Sequence, residues 1–234
     1  MSRWFFLSLA LTVLGLGASL YVFYGARDWM PAEVPVHWGI NGQADRWVAR
    51  DDMLLYLLLP PGVMALMLVL WPLLPWLSPR RFEVDTFRST YEQIMALLVI
   101  LFGYLHGAIL WAYVHPEPGA IRLIVAGLFL FFALIGNLLG KVKPNFWMGI
   151  RTPWTLTSEW VWERTHRMGA WLFVAAGLIG FVATLAGVPL WLLFVFIIVA
   201  ALVPVIYSLV IYKRLEKQGR LGLGPESQPL EEPR

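Results

Sequence analysis

The sequence predicts an all-α polytopic membrane protein with six transmembrane helices and a short β-hairpin-like loop on the extracytoplasmic side. Three observations carry that prediction. The chain of 234 residues is 59% hydrophobic and 14% charged, against roughly 45–50% apolar and about 25% charged in soluble proteins. The charge is segregated: six apolar stretches hold 126 residues without one Asp, Glu, Lys or Arg, and all 33 charged residues sit in the other 108. Those stretches run 17 to 24 residues, close to the ~20 that a helix needs to cross a bilayer. A large cytosolic enzyme is excluded. The net charge of +3 follows the topology of the loops rather than forming a basic stripe, so no direct nucleic-acid partner is expected. With no cysteine in the chain, disulfides, thiolate metal sites and a Cys nucleophile are excluded as well.

The stretches are Trp4 to Tyr24, Met53 to Trp76, Ile94 to Val114, Leu123 to Leu139, Met168 to Ala186 and Pro189 to Tyr212. The segments between them alternate in Lys plus Arg, 14 on one side and 4 on the other. By the positive-inside rule both termini are cytoplasmic. The first stretch lacks an A-x-A site after its apolar core, so it reads as a retained span rather than a cleaved signal peptide. Trp4, Trp29, Trp71, Trp76, Trp111, Trp171 and Trp191 lie at or near the span ends, as an aromatic belt requires. The chain divides into an N-terminal membrane domain at 1–114 with an outer loop at 25–52, a second membrane domain at 115–212 with an inner loop at 140–167, and a tail at 213–234. The tail, rich in Pro, Gly and Glu, is expected to be disordered.

Within the spans, His106 is the ionisable group at membrane depth. It is expected to pack between helices and bond a carbonyl, helped by the close approach that Gly103 and Gly107 allow; proton sensing is the alternative. Asn137, between Gly136 and Gly140, is expected to donate an interhelical hydrogen bond. The four prolines of the second span and two of the sixth do not match, which argues against an inverted-repeat transporter.

The outer loop contains V-P-V-H-W-G-I-N-G-Q-A-D-R-W, where Asn41-Gly42 suits a two-residue type I′ turn. That register pairs Ile40 with Gln43, Trp38 with Asp45 and Val36 with Trp47, with His37 opposite Arg46. The hairpin is either a lid lying on the membrane surface or a receptor surface for an external ligand. His37, Asp45, His115 and Glu117 are chemically able to hold a metal, but their spacing matches no metal motif. No metal and no cofactor is expected.

The inner loop reads G-K-V-K-P-N-F-W-M-G-I-R-T-P-W-T-L-T-S-E-W-V-W-E-R-T-H-R. Pro144 and Pro153 break helices, Gly149 permits a turn, and Ser158 before Glu159 starts the helix of the fifth span. On that helix Trp160, Arg164, Arg167 and Trp171 share one face, while Trp162, His166 and Gly169 share the other. The first face suits the lipid interface. Alternation of Lys, Asn, Arg and Thr with turn residues suits specific hydrogen bonds, and Arg151 is expected to be held by carbonyls, a carboxylate or lipid phosphate. No G-x-S-x-G, H-E-x-x-H or Walker loop is present, and no catalytic residue is assigned.

At these residues the chain resembles the SdpI-type family, multi-spanning bacterial immunity proteins that protect against a secreted killing peptide. The segment Gly136 to Gly169 looks like the family's signature. The run P-x-x-V-P-x-H-W-x-x-x-G-x-x-D-R-W, from Pro31 to Trp47, resembles the small domain of unknown function that precedes it. Gly140 departs from the pattern, where proline is expected. The resemblance covers most of the chain up to Tyr212. It implies immunity to a toxic peptide and, in the best understood form, retention of a transcriptional repressor at the membrane. The residues carried over are His37, Trp38, Gly42 and Asp45 outside. Inside they are Asn137, Lys141, Lys143, Pro144, Asn145, Gly149, Arg151, Thr152, Pro153, Trp154, Thr155, Trp162, Thr165, His166 and Arg167. Expected partners are membrane lipid, a secreted toxin peptide and a cytoplasmic repressor. The competing reading is a lipid- or peptide-handling transporter or intramembrane enzyme using the inner loop.

Overall fold

A computed structural model describes residues 2–114 and 120–221. The elements in order are α1 (Arg3–Tyr24), β1 (Glu33–Trp38), β2 (Ala44–Ala49), α2 (Leu54–Leu77), α3 (Arg88–Val114), α4 (Ala120–Leu139), the short α5 (Pro153–Thr157), α6 (Glu159–Leu185) and α7 (Leu190–Lys217). Among the described residues six helices are long and apolar enough to cross a membrane, and β1 and β2 form a two-stranded antiparallel sheet. Helix α7 runs to Lys217, five residues into the segment expected to be disordered. The rest of that segment from residue 222, like His115 and Glu117, lies outside the described residues.

Helices α1, α2 and α3 pack mutually as a first group; through α3 it meets a second group, in which α4 lies along α6 and α6 meets α7. Both ends of this bundle carry built structure. The hairpin sits where α1, α3 and α6 end, and the 140–158 segment sits at the opposite end.

The prolines of α2 explain part of the first group. Each proline lacks the N–H that would bond the carbonyl four residues earlier, a loss that lipid cannot make good. Pro61 orphans the Leu57 carbonyl, which accepts a 2.6 Å hydrogen bond from the Ser19 hydroxyl on α1. Pro75 orphans the Trp71 carbonyl, which accepts from the Tyr91 hydroxyl on α3, also at 2.6 Å. His106 joins the first of these: its Nε2 lies 3.1 Å from Ser19 Oγ and 3.2 Å from the Gly15 carbonyl. The small residue beside its ring is Gly15, where a Cβ would stand 3.6 Å from the imidazole; at Gly107 a Cβ would meet nothing within 4 Å. Of the two glycines flanking His106, Gly103 faces Met64 on α2, where a Cβ would stand 3.5 Å from its Cε, and Gly107 faces open space.

The α4–α6 contact depends on glycine in the ordinary steric sense. A Cβ at Gly136 would stand 2.8 Å from Val174 N, one at Gly177 would overlap the backbone of Ala133, and one at Gly180 would overlap the Phe129 ring. Backbones this close gain dispersion contacts along their length, which is how helices associate without a hydrophobic driving force. Asn137 does not take part. One residue beyond Gly136 the helix has turned by about 100°, so Asn137 is exposed, and among the described residues the interhelical hydrogen bond expected of it is not made.

The hairpin forms with a different turn. Gly42 has a φ of 81° and among the described residues no non-glycine has positive φ, so Asn41 cannot occupy a type I′ position. Instead Gly42 N–H bonds the Gly39 carbonyl and Gly39 N–H bonds that of Gln43, both at 2.8 Å. This is a type I turn followed by a left-handed glycine, the longer hairpin connection. The register shifts accordingly: His37 faces Arg46 as expected, but Trp47 lies opposite Pro35 and Ala44 opposite Trp38. The underside of the hairpin is buried through Met30, Val34, Met53, Leu57 and Tyr113.

Candidate functional site

The segment between α4 and α6 is built around three buried polar side chains, Asn145, Thr155 and His166, each at most 1% exposed. Asn145 Oδ1 accepts the N–H groups of Trp147 and Met148, both at 2.7 Å. Its Nδ2 donates to the carbonyls of Lys143 at 2.9 Å and Met148 at 3.0 Å. An amide side chain can replace a whole backbone turn in this way, which is why Asn follows Pro144 here. Thr152 and Thr155 form a reciprocal capping box at the start of α5, with Pro153 where its missing N–H costs nothing. Thr155 Oγ1 lies 2.9 Å from the Ile150 carbonyl and 3.0 Å from that of Thr152.

His166 closes the loop. Its Nε2 lies 2.9 Å from the Ile150 N–H and must accept from it. The proton therefore sits on Nδ1, which donates to the Trp162 carbonyl at 2.8 Å. The imidazole stacks on the Trp162 ring with centroids 4.0 Å apart. Gly149, at φ 103°, passes so close that a Cβ there would overlap His166 Nε2. Ser158 caps α6, accepting from the Val161 N–H. Thr165 is fully buried and its hydroxyl has no hydrogen-bond partner among the described residues.

Three indoles tie the loop to the bundle. Trp162 Nε1 donates to the Val142 carbonyl at 2.8 Å, Trp154 Nε1 to Ser208 on α7 at 2.5 Å, and Trp147 Nε1 to Ser78 beyond α2 at 2.7 Å. Trp147, Ser78 and Ser208 were not among the residues singled out from the sequence. Their separations of 69 and 54 residues leave no local pattern to read.

The cations of the loop stay outside this network. Lys141, Lys143 and Arg151 are exposed. Arg151 lies 6.0 Å over the Phe146 ring, and among the described residues no carbonyl or carboxylate partner is found for it, which leaves the lipid phosphate also expected for it. Arg164 stacks 4.5 Å from the Trp160 ring, and Arg167 pairs with Glu163 at 3.8 Å, both on the exposed face of α6. A cleft of about 550 Å³ opens between Arg80, Glu83 and Thr86 on one side and Lys143, Thr157 and Glu159 on the other.

At the opposite end His37 Nδ1 bonds Asp45 Oδ1, with both side chains exposed, and Trp38 is half-buried in the hairpin core. Gly42 sets the hairpin tip on the second group of helices: a Cβ there would stand 3.2 Å from Leu190 Cδ1 and 3.5 Å from Ile121 Cγ2. Next to it Arg122, also missed from the sequence, donates to the carbonyls of Thr184, Gly187 and Val188 at 3.2–3.3 Å. It thus caps the C-terminus of α6, where a cation is favoured. Among the described residues no three His, Cys, Asp or Glu side chains come together to hold a metal.

Comparison with known proteins follows this division. Residues 141–208 match the SdpI/YfhL protein family, covering the loop, α5, α6 and most of α7. Residues 10–64 match a domain of unknown function, DUF1648, covering the hairpin with parts of α1 and α2. The chain is 24% identical to "Immunity protein SdpI" of Bacillus subtilis (strain 168) over 152 residues, 65% of this chain and 69% of that protein. No solved structure matches. This is a multi-pass bacterial membrane protein in which a stretch that matches DUF1648 precedes one that matches the SdpI/YfhL family.

Proposed function

We propose that the chain is an immunity protein of the SdpI type, which protects a bacterium against a secreted toxic peptide. The observation that carries this reading is that the SdpI/YfhL match falls on the loop closed by Asn145, Thr155 and His166. In this reading the termini and the loop are cytoplasmic and the hairpin is external, in keeping with the 14 to 4 division of Lys and Arg. The hairpin meets the peptide. The loop offers Lys141, Lys143 and Arg151 to a cytoplasmic partner, for which a repressor with an acidic surface is the candidate. His166 has neither ring nitrogen free for acid–base work, which weighs against an enzyme.

The test is survival of a peptide-sensitive host with and without this gene, at a measured amount of protein in the membrane. Protection supports the proposal, and unchanged killing at normal protein levels rejects it. The cleft of about 550 Å³ favours one alternative, a lipid- or peptide-handling transporter. That reading requires protection to disappear when the membrane potential is collapsed.

A further inference from the structure

A second cavity lies on the flank of the first helix group, away from the 140–158 loop. It measures about 280 Å³ and opens between the start of α1, the end of α2 and the start of α3. Its walls are the aromatic rings of Phe5, Trp71 and Tyr91. The Tyr91 hydroxyl is spent on the Trp71 carbonyl, so these rings offer faces rather than polar groups. The polar part is Arg88, Glu92 and Ser2. Glu92 is withdrawn from solvent, its side chain 19% exposed, and its ion pair with Arg88 is long at 3.7 Å. Arg88 is 63% exposed and bonds Asp85 at 2.7 Å, which leaves further guanidinium donors open. The Ser2 hydroxyl is buried with no partner.

A secluded carboxylate calls for a cation with hydrogens to donate, because a buried charge is costly until it is paired. A guanidinium beside it calls for a phosphate or carboxylate. Together they fit a zwitterion. The rim is apolar: Pro72 lines the cavity, and Val69 and Trp76, three and four residues away on the same face of α2, are 62% and 77% exposed. A ligand seated here carries an apolar body that lies along the outside of the bundle.

We propose that this cavity binds the headgroup of an aminophospholipid, with its ammonium on Glu92, its phosphate on Arg88 and its acyl chains along Val69, Pro72 and Trp76. A glycerol headgroup brings Glu92 no ammonium to add to its long pair with Arg88. A trimethylammonium headgroup reaches the aromatic walls but donates no hydrogen bond.

Native mass spectrometry of the full chain in detergent, titrated with phosphatidylethanolamine, phosphatidylglycerol or phosphatidylcholine, tests this. One phosphatidylethanolamine is expected to be retained at about a tenth of the concentration the other two require, the scale of one charge-assisted hydrogen bond. Glu92→Gln is expected to abolish that preference with the melting temperature retained, whereas Glu83→Gln, which removes an exposed carboxylate outside the cavity, keeps it. Equal retention of the three lipids by the wild type, or an unchanged preference in a folded Glu92→Gln variant, overturns the proposal. Should Glu92→Gln not fold, Arg88→Gln serves in its place: it is expected to weaken phosphatidylethanolamine about tenfold, and no change there also overturns it.

Discussion

Ser19 donates its hydroxyl hydrogen to the Leu57 carbonyl at 2.6 Å, and that carbonyl is the one Pro61 leaves without a helical donor. A proline in one span is thus matched by a hydroxyl in another. Ser19→Ala removes the match and leaves a buried acceptor bare. The expected cost is about 1–2 kcal/mol, read as a lower melting temperature in detergent. Pro61→Ala restores the helical N–H, so Ser19→Ala in that background should cost much less. Equal losses in both backgrounds would show that Ser19 contributes something other than this bond.

The α4–α6 contact makes a prediction that separates two glycines of the same composition class. Gly177→Ala places a methyl group into the backbone of Ala133 and Phe129, so the helices must separate. Lost packing of this kind costs about 1–3 kcal/mol or more. Gly107→Ala meets nothing within 4 Å and lies in a helix, where alanine is favoured by up to about 1 kcal/mol. Melting temperatures should fall for the first and stay level or rise for the second. The same direction for both would remove the steric argument.

Gly149 is required twice, by its φ of 103° and by the overlap a Cβ would make with His166. Gly149→Ala should therefore open the loop without unfolding the spans. Trypsin offers a direct readout, since Arg151 is exposed beside it. Cleavage after Arg151 is expected to accelerate at least several-fold in the variant, in proportion to the open population, while helical circular dichroism is retained. Unaltered cleavage would mean that the loop does not depend on this close approach.

The spans were legible in the sequence because hydropathy and length are properties of single segments. Each apolar stretch became one helix, and Ser158 did cap α6. The hairpin was legible in existence but not in register. Asn41-Gly42 is compatible with two turns, and the dipeptide alone does not choose between them. The loop residues were found by their resemblance to a family, yet their arrangement was not. Asn145, Thr155 and His166 are turned inward and hydrogen-bonded, whereas Arg151, expected to be held by carbonyls, a carboxylate or lipid phosphate, faces out over the Phe146 ring. The matches between Ser19 and Pro61, Tyr91 and Pro75, and Trp147 and Ser78 lie beyond any local pattern.

The division between a structural interior and an exposed cationic surface leads to a last prediction about the proposed immunity. His166→Ala removes the acceptor of Ile150 N–H and the stacking partner of Trp162, so its effect should be a drop in membrane protein level that carries protection down with it. Lys141, Lys143 and Arg151 take no part in that framework. Their joint replacement by Gln should leave the protein level and melting temperature unchanged while reducing any transcriptional response. Trp38→Ala and Asp45→Ala sit on the hairpin, where the proposal puts peptide contact. Asp45→Ala, which breaks an exposed pair with His37, is worth less than about 1 kcal/mol to the fold. It should lower survival and response together at constant protein level. Survival assays, reporter expression and quantitative immunoblots on the same cells distinguish these outcomes. If the triple Gln variant protects and signals like wild type, the loop serves as a structural connector; if Asp45→Ala protects fully, peptide encounter must be sought away from the hairpin.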